Sequence, residues 1–252
     1  MSELLVKSES LVAVADSIRS KTGSTEELVF PEGFVEAVEG ISSGDTSSED
    51  GLITRTHPSY TNDRVTHIGK AAFFSYTSLT TVNFPVVTDI GSFAFQNCTA
   101  LRTVNIPAAT RISNSAFNNC TALTTASFPA VNYIGKYAFQ SCSALTTVSF
   151  PVATRIDDGA FQRCTAFATV NFPVASYISN YAFQLCSALS SLYLTSPSVC
   201  TLNNSNAFAS TPFAGYSDYF SGTPYIYVPT SLVDAYKSAT NWAYFSSYIT
   251  GY

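Results

Sequence analysis

The sequence predicts a repeat solenoid in which short parallel β-strands stack along one axis. Three residue types recur every 22 positions: Ile from 68 to 178, Phe from 73 to 183 and Pro from 85 to 173. A fixed period of 20–30 residues is typical of chains in which each turn buries its apolar side chains against the neighbouring turns. We therefore expect the repeats to form one elongated domain.

The segment that ends in proline is predicted to be a half-buried strand in every repeat. In TTVNFP (residues 80–85), Val82 and Phe84 alternate with Thr81 and Asn83. Such alternation sends one pair to the core and the other to solvent. Pro85 has no backbone N–H and cannot extend a strand ladder. Stacked repeats would place these strands about 4.8 Å apart in a parallel sheet.

The pattern L-x-x-V-x-F-P followed by I-G-x-x-A-F-x-x-C resembles the BspA-like (treponemal-type) leucine-rich repeats over about residues 65–195. The resemblance implies a right-handed leucine-rich-repeat coil with a parallel β-sheet of short strands. It also implies a bacterial surface or secreted binding protein, and no catalytic residues accompany the repeat. Three departures leave the pattern intact, namely Ala126 for Val, Asp157 for Gly and Phe167 for Leu.

Five cysteines follow the same period, and Tyr76 and Phe208 stand at the same phase at either end: Cys98, Cys120, Cys142, Cys164 and Cys186. A disulfide needs converging Cβ atoms about 3.8 Å apart, whereas parallel stacking aligns them farther apart. Zinc sites use clustered pairs such as C-x-x-C, which are absent here. We expect free thiols that pack as small apolar side chains. Cys200 lies outside the period, and its role is left open.

The domain organisation predicted from composition has four parts. Residues 1–41 form a helical adaptor module, 42–51 a flexible linker, 52–195 the solenoid, and 196–252 a degenerate repeat with a cap. In the last part we expect a strand at 225–228 and a helix near 231–240 that Thr230 caps. Trp242, Tyr244 and Phe245 are expected to cover the open end of the core, because a solenoid needs end caps.

Residues 11–38 resemble N-terminal modules of prophage tail and related structural proteins of Gram-positive bacteria. The resemblance implies a virion partner for residues 1–41. An amphipathic helix that caps the solenoid is the alternative. The first residues are acidic and do not resemble a signal peptide, so we expect synthesis in a reducing cytoplasm. Release by lysis or on a larger particle would then bring the protein to a cell surface.

Charge and motifs narrow the function classes. Residues 1–50 carry 11 acidic and 3 basic side chains, and the remainder carry 6 Asp and 9 Lys or Arg. The remainder lacks the dense basic stripe of a nucleic-acid binder, and no apolar run is long enough for a membrane span. His57 and His67 are the two histidines, and no nucleophile, phosphate-loop or zinc-protease motif occurs. The pair Asp157–Asp158 is expected to face water. We therefore expect a protein that is not an enzyme, has no catalytic residue and binds neither a cofactor nor a metal ion.

Two surfaces are candidates for binding. The outward strand positions form an uncharged hydroxyl and amide array that includes Asn83, Asn105, Asn171 and Tyr193. Such an array suits weak hydrogen bonds to sugars, or it serves only to keep the sheet soluble. The positions before each Ile and three after it should form one aromatic and cationic patch, which contains Arg111, Tyr133, Tyr137, Arg155, Tyr177 and Tyr181. Tyr and Arg are enriched in binding hot spots. The alternative is an internal series of cation–π pairs.

These observations predict a non-enzymatic recognition protein. The favoured version is a phage or prophage tail-associated protein that binds a cell-surface glycan or protein. The alternatives are a BspA-like adhesin at a bacterial surface and, as a minor class, a carbohydrate-active enzyme. The sequence names neither the ligand nor the host, and it does not determine the oligomeric state.

Overall fold

A computed structural model describes residues 58–214 and 223–252. Each complete repeat forms a coil with two β-strands, one of three residues and one of two. The longer strands, of three or four residues, form a five-stranded sheet and a four-stranded sheet. The two-residue strands form a seven-stranded sheet. The pairs within all three sheets are parallel, as the solenoid prediction requires.

The first group of strands comprises β1 (Ser59–Thr61), β3 (Thr81–Asn83), β5 (Thr103–Asn105), β7 (Thr125–Ser127), β9 (Thr147–Ser149), β11 (Thr169–Asn171), β13 (Ser191–Tyr193), β15 (Tyr225–Val228) and β16 (Ile249–Gly251). The second comprises β2 (His67–Ile68), β4 (Asp89–Ile90), β6 (Arg111–Ile112), β8 (Tyr133–Ile134), β10 (Arg155–Ile156), β12 (Tyr177–Ile178) and β14 (Thr201–Leu202). The first group is ordered β1-β3-β5-β7-β9 in one sheet and β11-β13-β15-β16 in the other. The sequence analysis predicted this group from β3 to β15 but missed β1, β16 and the whole second group. Two residues are too few to show an alternating pattern.

The interior consists of continuous columns of identical side chains, as predicted. The phenyl rings of Phe73 and Phe95 stack with centroids 5.0 Å apart, and similar stacks continue to Phe183. The Ile column is fully buried from Ile90 to Ile178. Phe208 was assigned to the cysteine column, which is wrong, because its ring stacks on Phe183 at 5.4 Å. Two extra residues before β14 and one more before Phe208 shift the phase of the last coil.

Each coil turns through residues with positive φ. Phe93 and Asn97 have φ of 62°, and the equivalent residues of the other coils behave alike. Their N–H groups donate to carbonyl oxygens of the next coil, 21 residues onward, at Asn114 and Asn118. The left-handed conformation is costly for residues with a Cβ. Hydrogen bonds between coils compensate for that cost along this third side of the solenoid.

The C-terminal end closes the core much as predicted. The strand at 225–228 is confirmed, and α1 (Val233–Ser238) lies inside the predicted helical range. Thr230 is not the helix cap, because a 3-10 turn spans Thr230–Leu232 and its hydroxyl donates to the carbonyl of Tyr252. Trp242 and Phe245 are buried. Tyr244 covers nothing, since 75% of it is exposed.

The predicted adaptor (1–41), linker (42–51) and first residues of the solenoid lie outside the described residues. The helical prediction for residues 3–41 and the virion partner therefore stay predictions.

Candidate functional site

The residues before each Ile form a column on the seven-stranded sheet, which we call the Arg–Tyr column: Asp89, Arg111, Tyr133, Arg155 and Tyr177. Their strands pair in register, so each side chain lies beside the next. The Arg111 guanidinium carbon lies 4.4 Å from the centroid of Tyr133, and that of Arg155 lies 4.3 Å from Tyr177. Both distances are within the range of a cation–π contact. Both arginines remain exposed to solvent.

Asp157 lies beneath this column and holds it in place. The expectation that the Asp157–Asp158 pair faces water is wrong, because Asp157 is only 5% exposed. Its carboxylate accepts a hydrogen bond from the Tyr133 hydroxyl at 2.7 Å and pairs with Arg155 Nη2 at 3.2 Å. Burial and then the bond to Asp157 raise the pKa of Tyr133. The carboxylate therefore fixes the orientation of two neighbouring members of the column.

Asp158 belongs to a second polar contact at the edge of the same region. Its carboxylate pairs with Lys136 Nζ at 2.9 Å and accepts a hydrogen bond from Ser179. Partial burial alone would raise the pKa of Asp158, but the bonds from Ser179 and Lys136 outweigh it and lower that pKa. Lys136 and Asp158 are 22 residues apart, so the period could have indicated their pairing. Ser179 stands at a different position of the repeat, and sequence spacing gave no sign of its bond to Asp158.

Tyr137 and Tyr181 do not stack on each other. They belong to the turn column with positive φ, two coils apart, and Gly159 stands between them. The Tyr137 ring covers Gly159, so that a Cβ built there would lie 2.5 Å from Tyr137 Cδ1. Both tyrosines are about two-fifths exposed, at 39% and 41%. The predicted patch therefore has two parts. One is the Arg–Tyr column, whose members contact one another, and the other is the pair of exposed rings of Tyr137 and Tyr181, which do not stack on each other.

The predicted strand face lies on the sheets of three-residue strands. Asn105 and Asn171 are exposed and Asn83 and Tyr193 half-buried, with Asn105 Nδ2 donating to Asn83 Oδ1 at 2.6 Å. Tyr193 is in register with Tyr227, and their rings stack at 4.4 Å and 10°. The sequence analysis missed Tyr227, although the alternation in YIYV of the predicted strand could have placed it on this face.

The cysteines are confirmed as free, buried thiols. In the column, each Sγ donates to the carbonyl of a Phe one coil earlier, as from Cys120 to Phe95 at 3.1 Å. Burial raises the pKa of Cys142 and of Cys186 to about 12. Cys200 is also buried, and its carbonyl accepts a bond from Trp242 Nε1 at 2.6 Å. Such thiols are poor nucleophiles, since the reactive species is the thiolate.

Within residues 58–214 and 223–252, no group of three His, Cys, Asp or Glu side chains could hold a metal ion. The same residues contain no helix long and apolar enough to cross a membrane.

The family model "BspA type Leucine rich repeat region (6 copies)" matches residues 58–166 and 110–216. The chain belongs to the BspA-type leucine-rich repeat family. The matched residues are the stacked coils described above, and they make up more than half of the chain. A search of curated proteins found no match.

Several solved structures are similar. A leucine-rich cell surface protein from Faecalibacterium prausnitzii A2-165 is 20% identical, with a TM-score of 0.44 over 75% of this chain and 62% of its own. A leucine-rich repeat protein from Bacteroides ovatus is 24% identical, with a TM-score of 0.40 over 66% and 53%. The pneumococcal vaccine antigen PcpA is 15% identical, with a TM-score of 0.47 over 78% and 40%. The chain thus spans less than two thirds of the length of these three proteins, and the family assignment rests on the repeat match.

Proposed function

We propose that this chain is a non-enzymatic recognition protein that acts at a bacterial cell surface, and that the Arg–Tyr column is its binding site for a surface glycan or protein. The observation that carries the proposal is the placement of Arg111 over Tyr133 and of Arg155 over Tyr177. Arg and Tyr are enriched among the residues that dominate binding energy.

The column is ordered before any partner arrives. Asp157 holds Tyr133 and Arg155 through bonds of 2.7 and 3.2 Å. A preordered side chain loses less conformational entropy when it binds, so a larger share of the contact energy appears as affinity. The arginine side chains keep exposed donors, since 46% of the Arg155 side chain is accessible.

Two settings fit this role. The similar protein from F. prausnitzii is described as a cell surface protein, which supports an adhesin of the BspA-like kind. The resemblance of residues 11–38 to prophage tail proteins favours a second setting, in which residues 1–41 attach the solenoid to a virion. A proteomic search for this chain in purified phage particles and in washed cell envelopes separates the two.

The non-enzymatic part of the proposal rests on how the titratable groups are engaged. Asp157 and Asp158 are both bonded to cations of this chain. The thiols of the cysteine column stay protonated, because burial raises the pKa of such thiols, to about 12 for Cys142. Neither arrangement leaves a base or nucleophile poised for a substrate. Release of sugars from purified cell walls by the wild-type protein would contradict this part.

The binding site is tested by retention on whole bacterial cells. Removal of both rings in Tyr133→Ala/Tyr177→Ala should abolish retention, and Arg111→Ala/Arg155→Ala should do the same. The melting temperature of the tyrosine variant should change by only a few degrees. Arg102→Ala and Tyr244→Ala are matched controls, because both residues are exposed outside the column and should leave retention intact. Unchanged retention in the column variants would exclude this surface.

A further inference from the structure

The strand face changes shape abruptly at β13. In register across the sheet lie Asn171, Tyr193, Tyr227 and Thr250. The rings of Tyr193 and Tyr227 stack face to face with centroids 4.4 Å apart. The ring planes are therefore roughly perpendicular to the direction in which neighbouring strands pair. On the other side of Tyr193 the residue in register is Asn171, which has no ring to continue the stack. Among the described aromatic rings, Tyr193 contacts only Tyr227. We call the half-buried Tyr193 ring and the Asn171 side chain in register with it the tyrosine step.

Asn171 differs from the other asparagines of the strand face. The Asn105 and Asn83 amides bond to each other at 2.6 Å. Within the described residues, the Asn171 side chain forms no hydrogen bond, and it is exposed. Its amide offers a donor and an acceptor on the strand that pairs with the strand of Tyr193. Thr169, on the same strand and the same face, is exposed as well.

Few charged side chains occur in this part of the sequence. After Arg163, the only charged side chains are Asp218, Asp234 and Lys237. Arg155 is the last cation of the Arg–Tyr column. It lies on the seven-stranded sheet, whereas the tyrosine step lies on the four-stranded sheet. A neutral surface with free amide and hydroxyl groups matches a neutral, hydroxyl-rich ligand and offers nothing to pair with an acidic one.

We propose that the tyrosine step binds a neutral pyranose unit of a glycan. The apolar C–H face of the sugar packs on Tyr193, and its hydroxyl groups bond to Asn171 and Thr169. An aromatic ring supplies apolar area with a polar edge, which suits a ligand that is apolar on its faces and polar around its rim. Tyr227 supports Tyr193 from behind and keeps the ring upright. This site is separate from the Arg–Tyr column and does not depend on it.

The test uses the full chain and saturation-transfer NMR with soluble neutral oligosaccharides: maltohexaose, cellohexaose, mannohexaose and chitohexaose. At least one should bind to the wild-type protein. Tyr193→Ala should weaken that binding about tenfold or more, and Tyr193→Phe should keep it, because stacking needs the ring. Asn171→Phe should extend the aromatic stack over Tyr193 and block the site equally, without removing any core group. Circular dichroism melting verifies that each variant folds.

Arg111→Ala/Arg155→Ala should bind the neutral oligosaccharide as the wild type does. That variant separates failure of this site from failure of the proposed cell-binding column. Absence of binding to all four sugars would overturn the proposal, as would binding that survives both Tyr193→Ala and Asn171→Phe. A wild-type protein that bound only uronic acid oligosaccharides, and lost them with the arginines, would also overturn it.

Discussion

The side-chain amide of Asn241 donates a hydrogen bond of 2.9 Å to the carbonyl oxygen of Leu202. Leu202 ends β14, which is the edge strand of the seven-stranded sheet. The same nitrogen lies 3.0 Å from the carbonyl of Asn203, so one residue satisfies two carbonyl groups that no further coil can reach. Solenoids require such polar closure at their ends, because an open sheet edge invites pairing with other chains.

Asn241→Ala should destabilise the fold by about 2–3 kcal/mol. It removes both hydrogen bonds, and alanine has no polar side chain that could stabilise the left-handed backbone conformation at this position. Asn241 has φ of 66°. Asn241→Gly keeps the backbone conformation and loses only the bonds, so it should cost about half as much. Urea unfolding of the three proteins measures the difference. Equal stability of the wild type and Asn241→Ala would show that the closure is not structural.

Gly159→Ala should destabilise the protein by about 1–2 kcal/mol through the left-handed conformation of a residue with a Cβ, and by a further amount through a steric clash. The backbone there has φ of 58°, and the new methyl group would lie 2.5 Å from the Tyr137 ring. Thermal unfolding measures this change. In the Tyr137→Ala background the ring clash is gone, so Gly159→Ala should cost less. An unchanged cost there would assign the whole effect to the backbone.

Stability should fall steeply above about pH 9. Burial raises the pKa of Cys142, Cys186 and Cys200 to about 12, whereas an unfolded thiol ionises near pH 9. Between these values the unfolded chain holds fewer protons, so the free energy of unfolding decreases by about 1.4 kcal/mol per pH unit for each thiol. Below pH 9 the contribution is complete. Urea midpoints from pH 7 to pH 11 measure the slope.

Cys142→Ala is the control for this slope. It should be less stable at neutral pH, because it loses a buried side chain, and its midpoint should depend less on pH above 9. Parallel curves for the two proteins would contradict the assignment of the effect to the thiols.

Asp157→Asn should lower the pKa of the Tyr133 phenol, because the negative charge beside its hydroxyl is lost. NMR titration of protein with ¹³C-labelled tyrosine, assigned with Tyr133→Phe, follows that group. Arg155 loses its ion pair in the same variant, so retention on cells should fall as well. Lys136→Met, which removes the partner of Asp158 instead, should leave the Tyr133 titration close to that of the wild type. A Tyr133 pKa that Asp157→Asn does not change would refute the coupling.

The sequence by itself determined the coil, the strand that ends in proline, the interior columns and the buried thiols. These features depend on side chains 22 positions apart, and a strict period brings such residues together without further information. The same period placed Arg111 beside Tyr133 and Arg155 beside Tyr177 in adjacent strands.

Only the tertiary structure decided how side chains at different positions of the repeat pair across coils, and how the last coils pack where the period changes. Asp157 seemed to face water because its partner Tyr133 lies 24 residues away at a different position of the repeat. Phe208 continues the column of stacked phenylalanine rings rather than the cysteine column, because extra residues shift the phase of the last coil. Tyr193 and Tyr227 meet because β13 pairs with β15, although the sequence between them has no regular spacing. Periodicity predicts contacts between equivalent positions of regular repeats. Contacts between different positions, or beyond the regular repeats, depend on where each side chain lies in space.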